Sequence, residues 1–277
     1  MIEPALYRDQ APSAAAEGVT DWRNFAAVYG RLCPPLRPSP SDVAHFAGAM
    51  AGHDARVLLL GVTPELSVLG NDLTAIDNSP RMLSDVWIGD HPARRAVRGD
   101  WTRLPFEDSS FTAVIGDGSL NSAPGLEPDM LREIARALAD GGRAVFRAFC
   151  SPDQPETLST VRQDVVSRWE GNFHALKWRI AMALAASDAN RTVAVRTILA
   201  AFDDLFPDRP ELALKTGWSL DSITTIDAYA GAAHSLSFPT LAELLDTAAP
   251  YFAQARVLEG RGYPLAERCP TIVWSRD

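Results

Sequence analysis

The sequence contains few lysines, and this scarcity bears on its possible partners. Of the 26 Lys and Arg residues in the 277-residue chain, only Lys177 and Lys215 are lysines. The formal net charge is −9. Binding to the phosphates of nucleic acids requires clustered basic side chains. We therefore expect that neither DNA nor RNA is a partner.

Cysteine is scarce too. Cys33, Cys150 and Cys269 form no Cys-x-x-Cys pair, and three cysteines cannot all be paired within one chain. Reduced thiols in a cytoplasmic protein are therefore expected. The chain also lacks a His-Glu-x-x-His motif and any closely spaced cluster of Cys and His, so we predict no metal.

Long apolar runs are also missing. No window approaches the roughly 18 apolar residues that a membrane span requires. The first residues include Glu3, Arg8 and Asp9 rather than the apolar core of a secretory signal. We therefore expect a cytoplasmic protein without a membrane partner. With 47% hydrophobic and 22% charged residues, the chain has the composition of a globular protein with a sizeable core.

Strand and helix patterns alternate between residues 56 and 150. The apolar run 57–61 ends in a glycine, and further strands are predicted at 73–77, 94–100, 112–117 and 143–149. Helices are predicted from Ser79-Pro80 to about residue 86 and over 128–139. Such alternation is typical of an α/β fold with a doubly wound parallel sheet.

The flanking residues have other patterns. A helix containing Trp22 and Tyr29 and a second helix, capped by Ser41-Asp42, are expected before the first strand. Beyond residue 150 the pattern is helical, with one helix capped by Ser187 or Asp188. A helix over 239–248 and strands at 255–260 and 271–276 then complete seven strands. The predicted organisation is an N-terminal helical segment (1–52), a cofactor-binding core (53–150), a helical insertion (151–236) and a C-terminal helix with two strands (237–277).

Three of the predicted strands end in residues suited to a nucleotide. The first ends in Gly61, the second in Asp77 and the third in Asp100-Trp101. The carboxyl ends of parallel strands lie at one edge of the sheet, where open α/β sheets bind nucleotides. A carboxylate such as Asp77 accepts two hydrogen bonds from ribose hydroxyls, and capping of the helix at Ser79 is its alternative role.

This order of elements and acids resembles that of the class I S-adenosylmethionine-dependent methyltransferases, over 55–150 and again over 238–277. The resemblance implies a doubly wound, seven-stranded, mostly parallel sheet with an α-helical insertion after the fifth strand. It also implies S-adenosyl-L-methionine as the cofactor and methyl transfer to a small-molecule acceptor. Two alternatives stay open: a non-catalytic cofactor-binding or scaffold protein with this fold and, less favoured, an NAD-dependent enzyme, for which the Gly-x-Gly-x-x-Gly motif is missing.

The resemblance also assigns residues to the cofactor. They share positions at or just after strand ends: Gly61, Thr63, Glu65, Asp77, Asn78, Asp100, Trp101, Asp117 and Gly118. The glycine would allow close approach of the methionine part, Asp77 would bind the ribose, and Asp100-Trp101 would bind the adenine. Asp117 would contact the cofactor's amino group.

The first motif departs from the family pattern. Leu59 stands where the family has an acid, and Thr63 and Glu65 stand where it has glycines. The distance from Gly61 to Asp77 is about one helical turn short, so we expect an abbreviated first helix. Thr63 or Glu65 is a candidate for the polar role of the missing acid.

The acceptor side is less defined. Asp117-Gly118-Ser119-Leu120-Asn121 replaces the Pro-containing motifs of nucleic-acid methyltransferases, and either Ser119 or Asn121 is expected to face the substrate unless the segment is a plain turn. The insertion is predicted to form an apolar roof that includes Trp169, Phe173, Trp178 and Tyr229, with Trp22 and Tyr29 closing the other side. The catalytic base is not identified; the candidates are His174, His234 and Asp117. The sequence is compatible with a monomer or an oligomer.

Overall fold

A computed structural model describes residues 23–51, 56–167 and 169–276. Nine strands lie in this part of the chain: β1 Arg56–Leu60, β2 Asp72–Asp77, β3 Arg94–Arg98, β4 Phe111–Asp117, β5 Leu138–Arg147, β6 Thr192–Ala194, β7 Ser235–Ser237, β8 Gln254–Leu258 and β9 Thr271–Ser275. Seven of them form one sheet in the order β3-β2-β1-β4-β5-β9-β8. β9 runs antiparallel to both of its neighbours, and the other pairings are parallel. The predicted seven-stranded, mostly parallel sheet is confirmed.

Ten α-helices surround the strands in the described residues: α1 Arg23–Val28, α2 Pro40–Met50, α3 Pro80–Asp85, α4 Glu127–Ala137, α5 Leu158–Val166, α6 Phe173–Ala185, α7 Val195–Leu205, α8 Arg209–Thr216, α9 Leu220–Ile223 and α10 Leu241–Ala248. Helix α8 was not predicted as a separate helix. Pro210 occupies its first turn, where no backbone N–H is needed. Trp22 and His53 lie outside the described residues.

The cap predicted for α2 was wrong. Ser39, rather than Ser41-Asp42, is the N-cap, and its hydroxyl accepts a hydrogen bond from the backbone N–H of Asp42 at 3.1 Å. The Asp42 carboxylate accepts in turn from the Ser39 N–H at 2.8 Å. This reciprocal pair is a capping box, and it places the Asp42 side chain inside the protein rather than at the helix surface.

The start predicted for the helix capped by Ser187 or Asp188 was also wrong. Asp188 accepts from the backbone N–H groups of Asn190 and Thr192, which forms a turn rather than a helix cap. The chain then enters β6, which pairs with β7 in an antiparallel ribbon, and α7 begins only at Val195. The three-residue strands are too short for their alternation to be distinguished from helical spacing.

The sheet is buried on both faces. Along β1, Val57 and Leu59 pack into one apolar cluster, which includes residues of α1, α2 and the insertion. Leu58 and Leu60 pack into the other cluster, with α4 and α10. All four side chains are at most 1% exposed. A continuous apolar run is expected when both faces of a parallel strand are covered.

A buried arginine joins four segments of the chain. The Arg147 guanidinium, at the end of β5, donates to Asp117 Oδ1 at 2.6 Å and to the carbonyl of Pro35 at 2.9 Å. It also lies 3.4 Å from Asp42 Oδ2 and 3.2 Å from the Tyr263 hydroxyl. Burial alone would lower the pKa of Arg147, but the adjacent Asp117 carboxylate outweighs that effect and raises it. The arginine therefore stays charged and compensates two buried acids.

Arg147→Met should destabilise the protein strongly, because it leaves Asp42 and Asp117 buried without their cation. We expect a loss of about 3–5 kcal/mol in the free energy of unfolding, measured by urea titration. Arg132→Met is the control, since Arg132 pairs with Asp129 at the surface and its loss should cost about 1 kcal/mol or less. Equal losses in the two variants would contradict a stabilising role for the buried network.

Candidate cofactor and acceptor site

One cavity of about 1150 Å³ lies at the carboxyl ends of the parallel strands. Eight of the nine residues that the sequence assigned to the cofactor line it: Gly61, Thr63, Asp77, Asn78, Asp100, Trp101, Asp117 and Gly118. Glu65 does not line it. The strand order brings these residues together although they are spread over 58 positions of the sequence, from 61 to 118.

Gly61 and Trp101 lie against each other at the edge of the sheet. Gly61 has a φ of +101°, a conformation that residues with a Cβ rarely adopt. Its N–H donates to the carbonyl of Ile76 at 2.8 Å, and the indole N–H of Trp101 donates to the same carbonyl at 2.8 Å. These bonds fix the glycine turn and the Trp101 ring relative to β2, directly before Asp77.

Asp77 is 6% exposed and ends β2 beside the cavity. Its carboxylate accepts from the backbone N–H of Ser79 at 2.8 Å and from that of Asn78. The alternative role of Asp77 as a helix cap is filled by Ser79, whose hydroxyl accepts from the N–H of Met82. Burial raises the pKa of Asp77 to about 6, against the opposing effect of the two N–H groups. Asp77 is therefore a carboxylate at neutral pH.

Asp100 lies at the more exposed border of the cavity. Its Oδ1 accepts from both the backbone N–H and the hydroxyl of Thr102, each at 2.8 Å. This local turn sets the orientation of the carboxylate next to the Trp101 ring. An acid and an aromatic ring thus lie next to each other just after β3, at the border of the cavity.

An abbreviated helix was predicted after β1, but the chain forms only a turn there. Residues 62–71 contain no helix; the N–H groups of Leu66 and Ser67 both bond the carbonyl of Thr63. Thr63 is buried, lines the cavity and hydrogen-bonds the Tyr29 side chain. Glu65 is held outside the cavity by Arg37, whose Nε donates to Glu65 Oε1 at 2.6 Å. Of the two candidates for the missing acid's role, only Thr63 lies at the cavity.

The segment after β4 contributes structural bonds as well as cavity surface. The Asn121 amide donates to the carbonyls of Phe149 and Ser237 at 2.8 and 2.7 Å and accepts from the Phe149 N–H. It therefore ties three segments together. Asp117 is paired with Arg147, and burial raises its pKa while the guanidinium opposes that shift. Ser119 lines the cavity, and its hydroxyl has no hydrogen-bond partner within the described residues.

The two candidate histidines occupy different environments. His234 lines the cavity just before β7 and is 9% exposed. His174 lies within α6 and does not line the cavity. Burial, with a smaller effect of Lys177, lowers the pKa of His174 to about 3. Of the two histidines, His234 therefore lies at the cavity, whereas His174 is a neutral core residue.

Apolar side chains from the N-terminal helices, the end of β5 and the insertion cover the rest of the cavity: Phe25, Tyr29, Leu36, Phe149, Trp178, Val195, Tyr229, Leu236 and Phe238. Tyr29, Trp178 and Tyr229 were among the aromatics expected to enclose the pocket. Trp169 and Phe173 were expected there as well, but they pack into the core beside Trp218. Leu236 and Phe238 were not predicted to line the cavity, because the three-residue strand β7 was not predicted from the sequence.

Among the described residues, no group of three or more His, Cys, Asp or Glu side chains is placed to hold a metal ion. None of the helices in the described ranges has both the length and the apolar character for crossing a bilayer.

Comparison with known proteins agrees with this architecture. Residues 61–146 match the family model described as a methyltransferase domain. A curated relative, the demethylmenaquinone methyltransferase of Mycolicibacterium vanbaalenii, is 32% identical over 160 residues, which are 57% of this chain and 63% of the relative. The match thus spans less than two thirds of that relative's length.

Solved structures are similar to this chain at low sequence identity. A putative Zn-dependent alcohol dehydrogenase from Rhodobacter sphaeroides is 14% identical, with a TM-score of 0.55 over 97% of this chain and 100% of that one. A SAM-dependent methyltransferase from Methanosarcina mazei is 15% identical, with a TM-score of 0.48 over 87% and 99%. The matched domain begins at the glycine turn after β1 and ends within β5, in the parallel part of the sheet. Residues 61–146 are therefore similar to a methyltransferase domain, as the resemblance to the class I S-adenosylmethionine-dependent methyltransferases predicts, and S-adenosylmethionine is the cofactor that this similarity implies.

Proposed function

We propose that this chain transfers the methyl group of S-adenosylmethionine to a small-molecule acceptor. The observation that carries the proposal is the single cavity of about 1150 Å³, lined both by the strand ends and by the apolar side chains of the insertion. Sites for one small ligand usually measure roughly 300–1,000 Å³. The cavity therefore has room for the cofactor and for a second small molecule beside it.

The residues at the strand ends fit the cofactor. Gly61 leaves the backbone open to close approach, and the Asp77 carboxylate can accept hydrogen bonds from ribose hydroxyls. Trp101 and Asp100 provide a ring and an acceptor for the adenine. Thr63, together with Tyr29, offers hydroxyl groups toward the methionine part. When bound, S-adenosylmethionine supplies a methyl group attached to a positively charged sulfur.

The chain itself contributes position, a dry environment and a proton acceptor. S-adenosylmethionine would supply the methyl group to the acceptor atom, and a ring nitrogen of His234 would take up the proton that this atom loses. An apolar wall favours this displacement because it holds the reactants in line and excludes water. General-base assistance of this kind contributes roughly 10²–10⁴-fold to rates.

Charge and the curated relative both favour a small molecule as the acceptor. The net charge of −9 disfavours nucleic acid. The relative is named for a reaction on demethylmenaquinone, a small molecule. The alternative is a cofactor-binding protein without catalysis; it is favoured by the absence of a helix in residues 62–71, where the family pattern places one.

Replacing Asp77 should weaken cofactor binding and remove its dependence on pH. Because the pKa of Asp77 is raised to about 6, its charged form is lost as the pH falls below that value. We expect S-adenosylmethionine affinity to decrease from pH 7.5 to pH 5. Titration calorimetry at pH 7.5 should show that Asp77→Asn binds S-adenosylmethionine roughly 10- to 100-fold more weakly than the unmodified protein does. At pH 5 the affinities of the two proteins should differ little.

Asp72→Asn is the matched control for that measurement. Asp72 lies at the other end of β2, paired with Arg95 and away from the cavity. Its replacement should leave affinity and pH dependence unchanged. If Asp77→Asn binds as tightly as the unmodified protein, Asp77 does not contact the ribose.

His234→Gln should slow methyl transfer while sparing cofactor affinity. We expect a decrease of roughly 10²–10⁴-fold in the rate of S-adenosylhomocysteine release over a panel of phenols, amines and thiols. His45→Gln, a change on α2 outside the cavity, is the control. Cofactor binding without turnover of any acceptor by the unmodified protein would instead support the non-catalytic alternative.

A further inference from the structure

The wall of the cavity that faces the strand ends restricts the chemistry of the acceptor. Resting on the proposed function, we propose that the acceptor is an uncharged, flat ring compound with an oxygen substituent. Its ring packs on the aromatic wall formed by Phe149, Trp178 and Phe238. Its oxygen bonds the Trp178 indole N–H and the Tyr229 hydroxyl.

The aromatic wall is built from three separate elements. The centroids of the Phe149 and Trp178 rings are 5.1 Å apart with an interplanar angle of 59°, and those of Trp178 and Phe238 are 5.2 Å apart at 72°. All three residues line the cavity, and none is more than 5% exposed. Inclined rings present both faces and edges to a ligand, and a flat ring can pack favourably against either.

Charge is absent from this side of the cavity. Of the described residues in 151–238, no Lys, Arg, Asp or Glu side chain lines it. The charged side chains that do line it lie at the strand ends, where the adenosine part binds: Asp77, Arg98, Asp100, Arg103 and Asp117. Asp117 is neutralised by Arg147. A carboxylate, phosphate or ammonium on the acceptor would therefore be buried without a counter-charge, which is strongly unfavourable.

Two buried basic side chains lie behind the wall, and neither lines the cavity. The Arg147 guanidinium is 5.2 Å from the centroid of the Phe149 ring and is paired with Asp117. Lys177 lies one residue before Trp178, but its Nζ donates to Thr225 Oγ1 at 3.0 Å and faces the rings of Phe173 and Tyr229, 5.4 Å from each centroid. It does not line the cavity. The Tyr229 ring thus separates Lys177 from the ligand space.

Two polar atoms of the wall lack a partner among the described residues: Trp178 Nε1 and Tyr229 Oη. Both side chains are at most 5% exposed, and buried polar atoms are nearly always hydrogen-bonded. An indole N–H only donates, so its partner must be an acceptor such as a carbonyl or hydroxyl oxygen. Both atoms are covered by their neighbours, so a modest rotation of each ring is needed to reach the acceptor.

The test uses the protein loaded with S-adenosylhomocysteine and four probes that share one ring system: 2-naphthol, naphthalene, 2-naphthoate and 2-naphthylmethylammonium. Titration calorimetry at pH 7.5 should show 2-naphthol binding at least about tenfold more tightly than either charged probe. Tyr229→Phe retains the ring and removes only the hydroxyl, whereas Trp178→Phe replaces the indole and its N–H with a smaller aromatic ring. Each should weaken 2-naphthol by about three- to tenfold, and Tyr229→Phe should leave naphthalene unchanged.

Trp169→Phe, a tryptophan outside the cavity, is the matched control and should change none of these affinities. Preference for a charged probe, or unchanged 2-naphthol affinity in both Trp178→Phe and Tyr229→Phe, would overturn this inference alone. Failure of the unmodified protein to bind S-adenosylhomocysteine would overturn the proposed function, and this inference with it.

Discussion

The buried Arg147 guanidinium is the interaction on which the site depends. It lies at the end of β5 and holds the Asp117 carboxylate at the end of the neighbouring strand β4. It also bonds the Pro35 carbonyl and contacts Asp42 of α2, so the N-terminal helices are fixed to the same sheet edge. A charge removed from water requires such partners, and here the partners come from distant parts of the chain. Stability and site geometry are therefore set by one network.

The cavity is consequently an assembly of three parts that are far apart in sequence. The strand ends supply Gly61, Asp77 and Trp101, whose positions relative to one another are fixed by bonds to the Ile76 carbonyl and by the sheet register. The N-terminal helices supply Tyr29, which bonds Thr63 across the cavity wall. The segment after β5 supplies the apolar side.

Some features were predictable because they depend on local sequence alone. An acid directly after an apolar strand lies at the sheet edge whatever the rest of the chain does, and Asp77 illustrates this. Other features depend on the partner of a side chain. Glu65 was a candidate for the cofactor until its contact with Arg37 was visible, and Asn121 was expected to face the substrate although its amide bonds the backbone of two other segments. No local pattern indicates such partners.

The sequence by itself determined the alternation of strands and helices, the edge of the sheet where the acids follow the strands, and the net negative charge. Each follows from the periodicity or the count of residues. The tertiary structure decided which side chains meet there. It placed His234 at the cavity and His174 in the core, although both are histidines of the same insertion. It also joined Phe149, Trp178 and Phe238 into one uncharged wall. Contacts between residues that are distant in sequence arise only from packing, and the apolar wall of the cavity is made of such contacts.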